Sequence, residues 1–328
     1  MRRSTAATPG DQAPDAPGHR PVLLHPLIEN LQPRPGQTAV DGTAGAGGVT
    51  AALAGRVRPG GRVIAIDRDP DAAATLRQRF AGDPAVRVVH GDFADMESIA
   101  ATCGVTTADC VALDLGVSSM QLDTAARGFS FMLDGPLDMR MDPGSGDTAA
   151  AIVNTYEEDA LATLLRELGD ERFARQIARE IARRRSQAPL HTTRQLRDAV
   201  EASIPRRAWP KRINPATRTF QALRIAVNRE LESLERGLQA ALHILRPGGR
   251  LGVISFHSLE DTLVKNALHV AATPCLCPPQ QSHCTCAHRA TISLVNRKVI
   301  LPDADELAAN PRARSARLRV AEKLADGT

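Results

Sequence analysis

Between Thr38 and Leu115 the apolar positions come in short continuous runs, at residues 38–41, 62–67, 86–90 and 110–115, separated by stretches of helical spacing. Runs of that length suit strands buried on both faces, and strands alternating with helices predict a parallel, doubly wound sheet. The spacing predicts helices over about 49–56, over 70–80 with Pro70 in the first turn, and near 96–102. Ahead of them, residues 19–26 form a short apolar segment between prolines that is expected to pack across the first strand. The rhythm stops after Gly116-Val117-Ser118-Ser119. From Leu122 to Pro215 only helical patterns remain: 157–168, then 171–185 with Phe173, Ile177 and Ile181 at i, i+4 and i+8 among arginines, then 192–203 behind a threonine cap. Alternation resumes with one apolar stripe through Val227, Leu231, Leu234, Leu238, Leu242 and Leu245, predicting a single long helix stopped at Pro247-Gly248-Gly249. A fifth strand at 250–256, a helix from Leu259 and two β-like runs at 292–301 and 316–321 follow. The expected fold is α/β, a seven-stranded sheet with an all-helical insertion.

Composition adds boundaries rather than a new picture. The 328 residues, 43% hydrophobic and 24% charged, are ordinary for a soluble globular protein. No apolar run approaches the ~20 residues of a membrane span. Residues 1–18, rich in Pro, Ala, Asp and Gly and without the apolar core of a signal peptide, read as a disordered tail. Six cysteines without a secretion signal fit a reducing compartment, so a cytoplasmic location is expected. The expected domains are a tail at 1–18, a sheet domain in two parts at 19–121 and 216–328, and a helical insertion at 122–215.

Candidate chemistry starts at Asp41-Gly42-Thr43-Ala44-Gly45-Ala46-Gly47-Gly48-Val49-Thr50, where a strand ends in an acid and a glycine-rich turn leads into a helix. Such a loop delivers backbone N–H groups to a nucleotide-like ligand. The next strand ends in Asp67, about twenty residues beyond the glycines, a distance suited to ribose hydroxyls. Asp41, Asp67, Asp92 and Asp114 lie at or just beyond successive strand ends. An acid directly before the glycines repels pyrophosphate and attracts a cationic ligand, which favours a methyl donor over NAD.

Several longer blocks then carry a close resemblance. They are Ala65-Ile66-Asp67-Arg68-Asp69-Pro70, Leu113-Asp114-Leu115-Gly116-Val117-Ser118-Ser119, Arg127-Gly128-Phe129-Ser130-Phe131, Gly135-Pro136-Leu137-Asp138-Met139-Arg140-Met141, Pro215-Ala216-Thr217-Arg218-Thr219-Phe220, Ile254-Ser255-Phe256-His257-Ser258-Leu259-Glu260-Asp261 and Asn310-Pro311-Arg312-Ala313-Arg314-Ser315. With the glycine loop they resemble the MraW (RsmH) type of bacterial methyltransferase, from about His19 to Lys323. The resemblance implies a class I, Rossmann-like methyltransferase fold interrupted by a helical domain. It implies S-adenosylmethionine as cofactor and the exocyclic N4 of one cytidine in the decoding region of 16S rRNA as target. The partner is then the ribosomal RNA or the assembled 30S subunit. By position the family's donor contacts fall on Gly47, Gly48, Val49, Asp67, Phe93, Asp114 and Gln121. The chain departs from the family pattern at Val49, where histidine is usual, and at Met120, where proline is common.

A cytosine amine is a poor nucleophile because its lone pair is delocalised into the ring, so it must be held in line with the methyl and hydrogen-bonded toward a pyramidal nitrogen. Asp114 and the loop from Leu115 to Ser119 are the candidates, with Ser118 offering a hydroxyl. The same Ser-Ser sequence also suits a helix cap. Basic residues gather in the insertion at Arg172, Arg175, Arg179, Arg183, Arg184, Arg185, Arg206, Arg207, Lys211, Arg212 and Arg218, against a net charge of only +4. They suit phosphate contacts, and Phe129, Phe131 and Trp209 are candidates to stack on a presented base. His257 is expected either to face that base or to cap the next helix. No metal is assigned. Cys275-Leu276-Cys277 and Cys284-Thr285-Cys286, with His283 and His288 beside them, have the residue types of a tetrahedral zinc site but not its commonest spacing. The rival functions are a non-catalytic RNA-binding or assembly factor on the same fold, and an NAD-dependent oxidoreductase, which Asp41 disfavours.

Overall fold

A computed structural model describes residues 21–211, 213–278, 280–281 and 283–325. The expected tail at 1–18 and Arg212 lie outside them. In chain order the elements are α1 (Leu24–Leu31), β1 (Thr38–Asp41), α2 (Gly48–Val57), β2 (Arg62–Asp67), α3 (Pro70–Arg79), β3 (Val86–His90), α4 (Met96–Thr102) and β4 (Ala108–Asp114). Then come α5 (Ser119–Asp123), α6 (Ala149–Thr155), α7 (Glu158–Gly169), α8 (Ala174–Arg185), α9 (Thr193–Ser203), α10 (Thr217–Asn228) and α11 (Glu230–Ile244). The chain closes with β5 (Leu245–Ser255), α12 (Ser258–Ala272), β6 (Ile292–Leu294), α13 (Ala304–Ala309) and β7 (Arg317–Lys323).

The strands form one seven-stranded sheet in the order β3-β2-β1-β4-β5-β7-β6. β1 pairs in parallel with β2 on one side and β4 on the other, Asp41 lying level with Ala65 and with Ala112. The chain winds outward from β1 in one direction and from β4 in the other. A crevice therefore opens beyond the carboxyl ends of these two strands, the topological switch point where open α/β sheets take ligands. The sheet is not wholly parallel, since β7 runs antiparallel to both β5 and β6. Local periodicity carries no information on strand direction, which is why the pattern missed the reversal.

Three further differences have local causes. The 19–26 segment leads into α1, which packs over β4, β5 and β7 rather than across β1. Gly252 of β5 admits it so closely that a Cβ there would lie 2.5 Å from Leu27 Cδ1. The single long stripe is two helices, broken at Arg229, whose φ of 48° is left-handed. The apolar phase of α10 and α11 happens to run on across the break. Of the 292–301 run only Ile292–Leu294 pairs as a strand; beyond it the Asn296 side chain accepts from Val320 N at 2.7 Å in place of backbone, and Ile300 rejoins as an isolated bridge to Leu318.

By compactness residues 117–232 form a second unit, wider than the insertion expected at 122–215. The extension takes in α10, which is part of this unit's core rather than of the sheet layer: Phe220, Ala222 and Leu223 bury with Leu161 and Leu165 of α7 and Ile177 and Ile181 of α8. All-helical content follows from the i, i+3/i+4 apolar spacing.

Candidate functional site

The glycine loop is a lattice of backbone hydrogen bonds to strand-end acids. Asp67 Oδ2 accepts from Gly45 N at 2.7 Å and its Oδ1 from Asp69 N at 2.8 Å, so the residue expected to hold ribose also pins the loop. Burial raises its pKa above the ordinary carboxylate value. Gly47 sits at the N-cap of α2 with φ 84°, a left-handed conformation in which any other L residue is strained. The narrowness at Gly48 serves the protein itself: a Cβ there would fall 2.2 Å from Pro21 Cγ, so this glycine makes room for chain rather than for ligand. Val49 is buried in the apolar cluster of Val22, Leu27, Leu53 and Val57. Its side chain cannot face a ligand, and what it offers is a first-turn N–H with no partner inside the helix. Phe93, which opens a 3-10 turn after β3, lies with its ring against Gly237 of α11; a Cβ on that glycine would come within 2.3 Å of the ring.

The carboxyls at the switch point set the electrostatics. Asp41 is fully buried, accepts from Thr50 Oγ1 at 2.6 Å and Thr43 N at 3.3 Å, and is pushed up to about 6, chiefly by burial. Asp114 ends β4; its backbone N donates to Thr43 Oγ1 at 2.6 Å. Its carboxyl is different, because Oδ1 is shielded from solvent and has no hydrogen-bond partner among the described residues. Burial, with added repulsion from Asp41 and Glu260, pushes it up to about 8. A buried polar atom without a partner costs about 1–3 kcal/mol, more when charged. It fits a ligand that brings a hydrogen-bond donor and positive charge, as a sulfonium methyl donor with an incoming amine would. A dinucleotide's phosphates would instead meet these acids.

Thr43, Thr50 and Glu260 are site residues that the sequence reading left out. Glu260 had a signal, since His257-Ser258-Leu259-Glu260 has the spacing of a capping box. The structure makes that box: the His257 ring accepts from Glu260 N at 3.5 Å and Glu260 Oε2 accepts from His257 N at 3.4 Å, with Phe256 N donating to the same oxygen at 2.8 Å. His257 is thus the cap of α12.

In the helical unit Ser118 caps α5. Its Oγ accepts from Gln121 N at 3.3 Å while Gln121 Oε1 accepts from Ser118 N at 3.0 Å. The hydroxyl expected to help catalysis and the amide expected to hold the donor thus fix each other's turn. The stacking candidates belong to packing. Phe129 is core, Phe131 meets Phe220 edge-on with centroids 5.4 Å apart, and Trp209 donates from Nε1 to Ile204 O with Arg206 only 3.9 Å above its ring. The arginine face of α8 is largely spoken for. Glu180 binds Arg183 at 2.7 Å and Arg184 at 2.8 Å, which holds its carboxyl down at about 2. Arg179 lies 3.6 Å from Glu158, Arg185 donates to Val153 O, and Arg218 donates to Asp170 O. Arg175, Arg207 and Lys211 make no ion pair among the described residues.

Sequence comparison places these features in company. The MraW methylase family model matches residues 16–324. Ribosomal RNA small subunit methyltransferase H of Trichlorobacter lovleyi is 47% identical over 307 residues, 93% of this chain and 98% of that protein. The proteins of the same name from Pelobacter propionicus and Geobacter sulfurreducens are each 49% identical, over 93% of this chain and 98% and 99% of their own.

Proposed function

The chain belongs to the MraW methylase family, and on that premise we propose that it methylates the exocyclic N4 of one cytidine in the decoding region of 16S rRNA. S-adenosylmethionine is the donor, and when bound it supplies an electrophilic methyl group on a positively charged sulfur. The residues assigned to hold it are Asp67, Phe93, the backbone of Gly47, Gly48 and Val49, and, by family resemblance, Gln121. Asp41 and Asp114 balance positive charge in a place where water is scarce, which makes each interaction stronger than it would be in bulk solvent.

One observation carries the reading: the Asp114 carboxyl has a buried, unpartnered Oδ1 at the switch point. A carboxylate oxygen accepts only, so it suits the N–H of an amine whose lone pair must be turned out of conjugation. Positive charge nearby lowers the Asp114 pKa, leaving Oδ1 ionised to accept that hydrogen bond. Once methylated, the nitrogen is acidic, and Oδ1 is assigned as the first acceptor of the proton it sheds. Ser118 contributes by fixing the turn after β4. Arg175, Arg207 and Lys211 are assigned to RNA phosphates, so the insertion acts as the RNA-binding part and the assembled 30S subunit or its RNA as the partner, in the cytoplasm.

The test is methyl transfer to 30S subunits from a strain lacking the protein, with mass mapping of the modified nucleotide. N4-methylcytidine at one decoding-region position is expected with wild type. A methyl group elsewhere on the RNA, or none, would contradict the assignment.

A further inference from the structure

The segment joining α12 to β6 has no regular structure in its described residues, yet it gathers Cys275, Cys277, Cys284 and Cys286. Their sulfurs all lie within 4.8 Å of one another. Cys275 Sγ is 3.5 Å from Cys284 Sγ and 3.7 Å from Cys286 Sγ, and Cys284 Sγ is 3.6 Å from Cys286 Sγ. None of these is a disulfide. A tetrahedron with metal–sulfur bonds of about 2.3 Å has sulfur–sulfur edges of roughly 3.8 Å, close to this spacing.

Backbone geometry supports the same end. Leu276 N donates to Cys286 Sγ, Cys277 N to Cys275 Sγ and Thr285 N to Cys277 Sγ, each at 3.4 Å. Donors turned toward sulfur stabilise thiolates, the form that binds metal. His288 is engaged elsewhere, its Nε2 lying 2.9 Å from Val270 O, so the set is cysteine alone. A connection of this length without secondary structure is uncommon unless something organises it, and among its described residues Leu276, its largest apolar side chain, is half exposed.

We propose that Cys275, Cys277, Cys284 and Cys286 bind one zinc ion as a closed structural centre. Four thiolates leave no open position, so the ion staples the loop and activates no water. Binding releases the thiol protons and consumes no oxidant.

The experiment is metal analysis of the full-length protein, purified reduced and without chelator from zinc-supplemented culture. About one zinc per chain is expected, lost in Cys284→Ser. Cobalt exchanged into wild type should give the intense visible bands of a tetrahedral thiolate site. Donor affinity measured on the same samples separates loss of the centre from loss of the fold, because Cys284→Ser should still bind S-adenosylmethionine. Metal-free wild type, stoichiometric iron, or disulfides formed among these four cysteines in the reduced preparation would each overturn the proposal, whatever the fate of the Cys284→Ser variant.

Discussion

Charge is treated in opposite ways at two places in this molecule. At the switch point of the sheet, Asp41 and Asp114 are buried acids raised to about 6 and about 8 and short of positive partners. On α8, Arg179, Arg183, Arg184 and Arg185 are furnished with partners, to the point that Glu180 is held at about 2 by two of them, and only Arg175 stands without one among the described residues. Folding gains nothing from the first arrangement, so a ligand is its best physical explanation. The second is what a well-solvated helix builds for itself, and exposed pairs of this kind contribute little, typically below ~1 kcal/mol. A long basic run in a sequence is therefore a weaker guide to function than one acid with nowhere to turn.

The sharpest way to break this contrast is Asp114→Asn. Methyl transfer should fall by about 100-fold or more, the range seen when a transition-state hydrogen bond is lost, while the ligand-free variant should melt several degrees higher, because folding no longer has to take up a proton on a buried carboxyl. Rapid-quench kinetics and calorimetry read both. A fall in melting temperature would mean that the carboxyl is structural.

Next in size is the RNA side. Replacing Arg175, Arg207 and Lys211 together with alanine should weaken RNA binding about tenfold or more at physiological salt and flatten the salt dependence by about 2 in log–log slope. Replacing Arg183 and Arg184, which Glu180 already engages, should do less. Equal effects in filter binding would erase the distinction between engaged and available cations.

A smaller effect concerns pH. Asp114 holds its proton in the folded chain over a range where the unfolded chain, with the ordinary value of 3.8, has lost it. Ligand-free stability should therefore fall as pH rises from that value to about 8, because the folded state binds more protons there. The slope should be shallower in Asp114→Asn. Denaturant titrations across that range would show it, and a wild-type curve that rises instead would contradict the pKa.

Smallest of all should be Val49→Ala. Loss of a buried side chain is expected to cost about 1–2 kcal/mol, yet donor affinity by calorimetry should stay within about threefold. A larger loss of affinity would mean that this position acts through its side chain.

Much of the sheet side was readable because its signals are local: an apolar run, an acid at its end, a glycine where φ must be positive. The reversal of β7, the seat of α1 on Gly252 and the break at Arg229 depend on which surfaces meet, and no window of sequence holds that. Ser118, His257 and the aromatic residues show the same limit from the other direction. A serine or a histidine that reads as chemistry also reads as a helix cap, and only the partner atom decides. The capping box of His257 with Glu260 was present as a spacing. That its glutamate raises Asp114 needed the two strands to be brought side by side.

Proton counting on donor binding tests the central claim most directly. Titration calorimetry of S-adenosylmethionine at about pH 7, repeated in buffers of different ionisation enthalpy, gives the number of protons exchanged. Release of close to one proton is expected from wild type, because the cation ionises Asp114, and almost none from Asp114→Asn. Binding by wild type without proton release would show that the buried carboxyl at the end of β4 does not face the donor's charge.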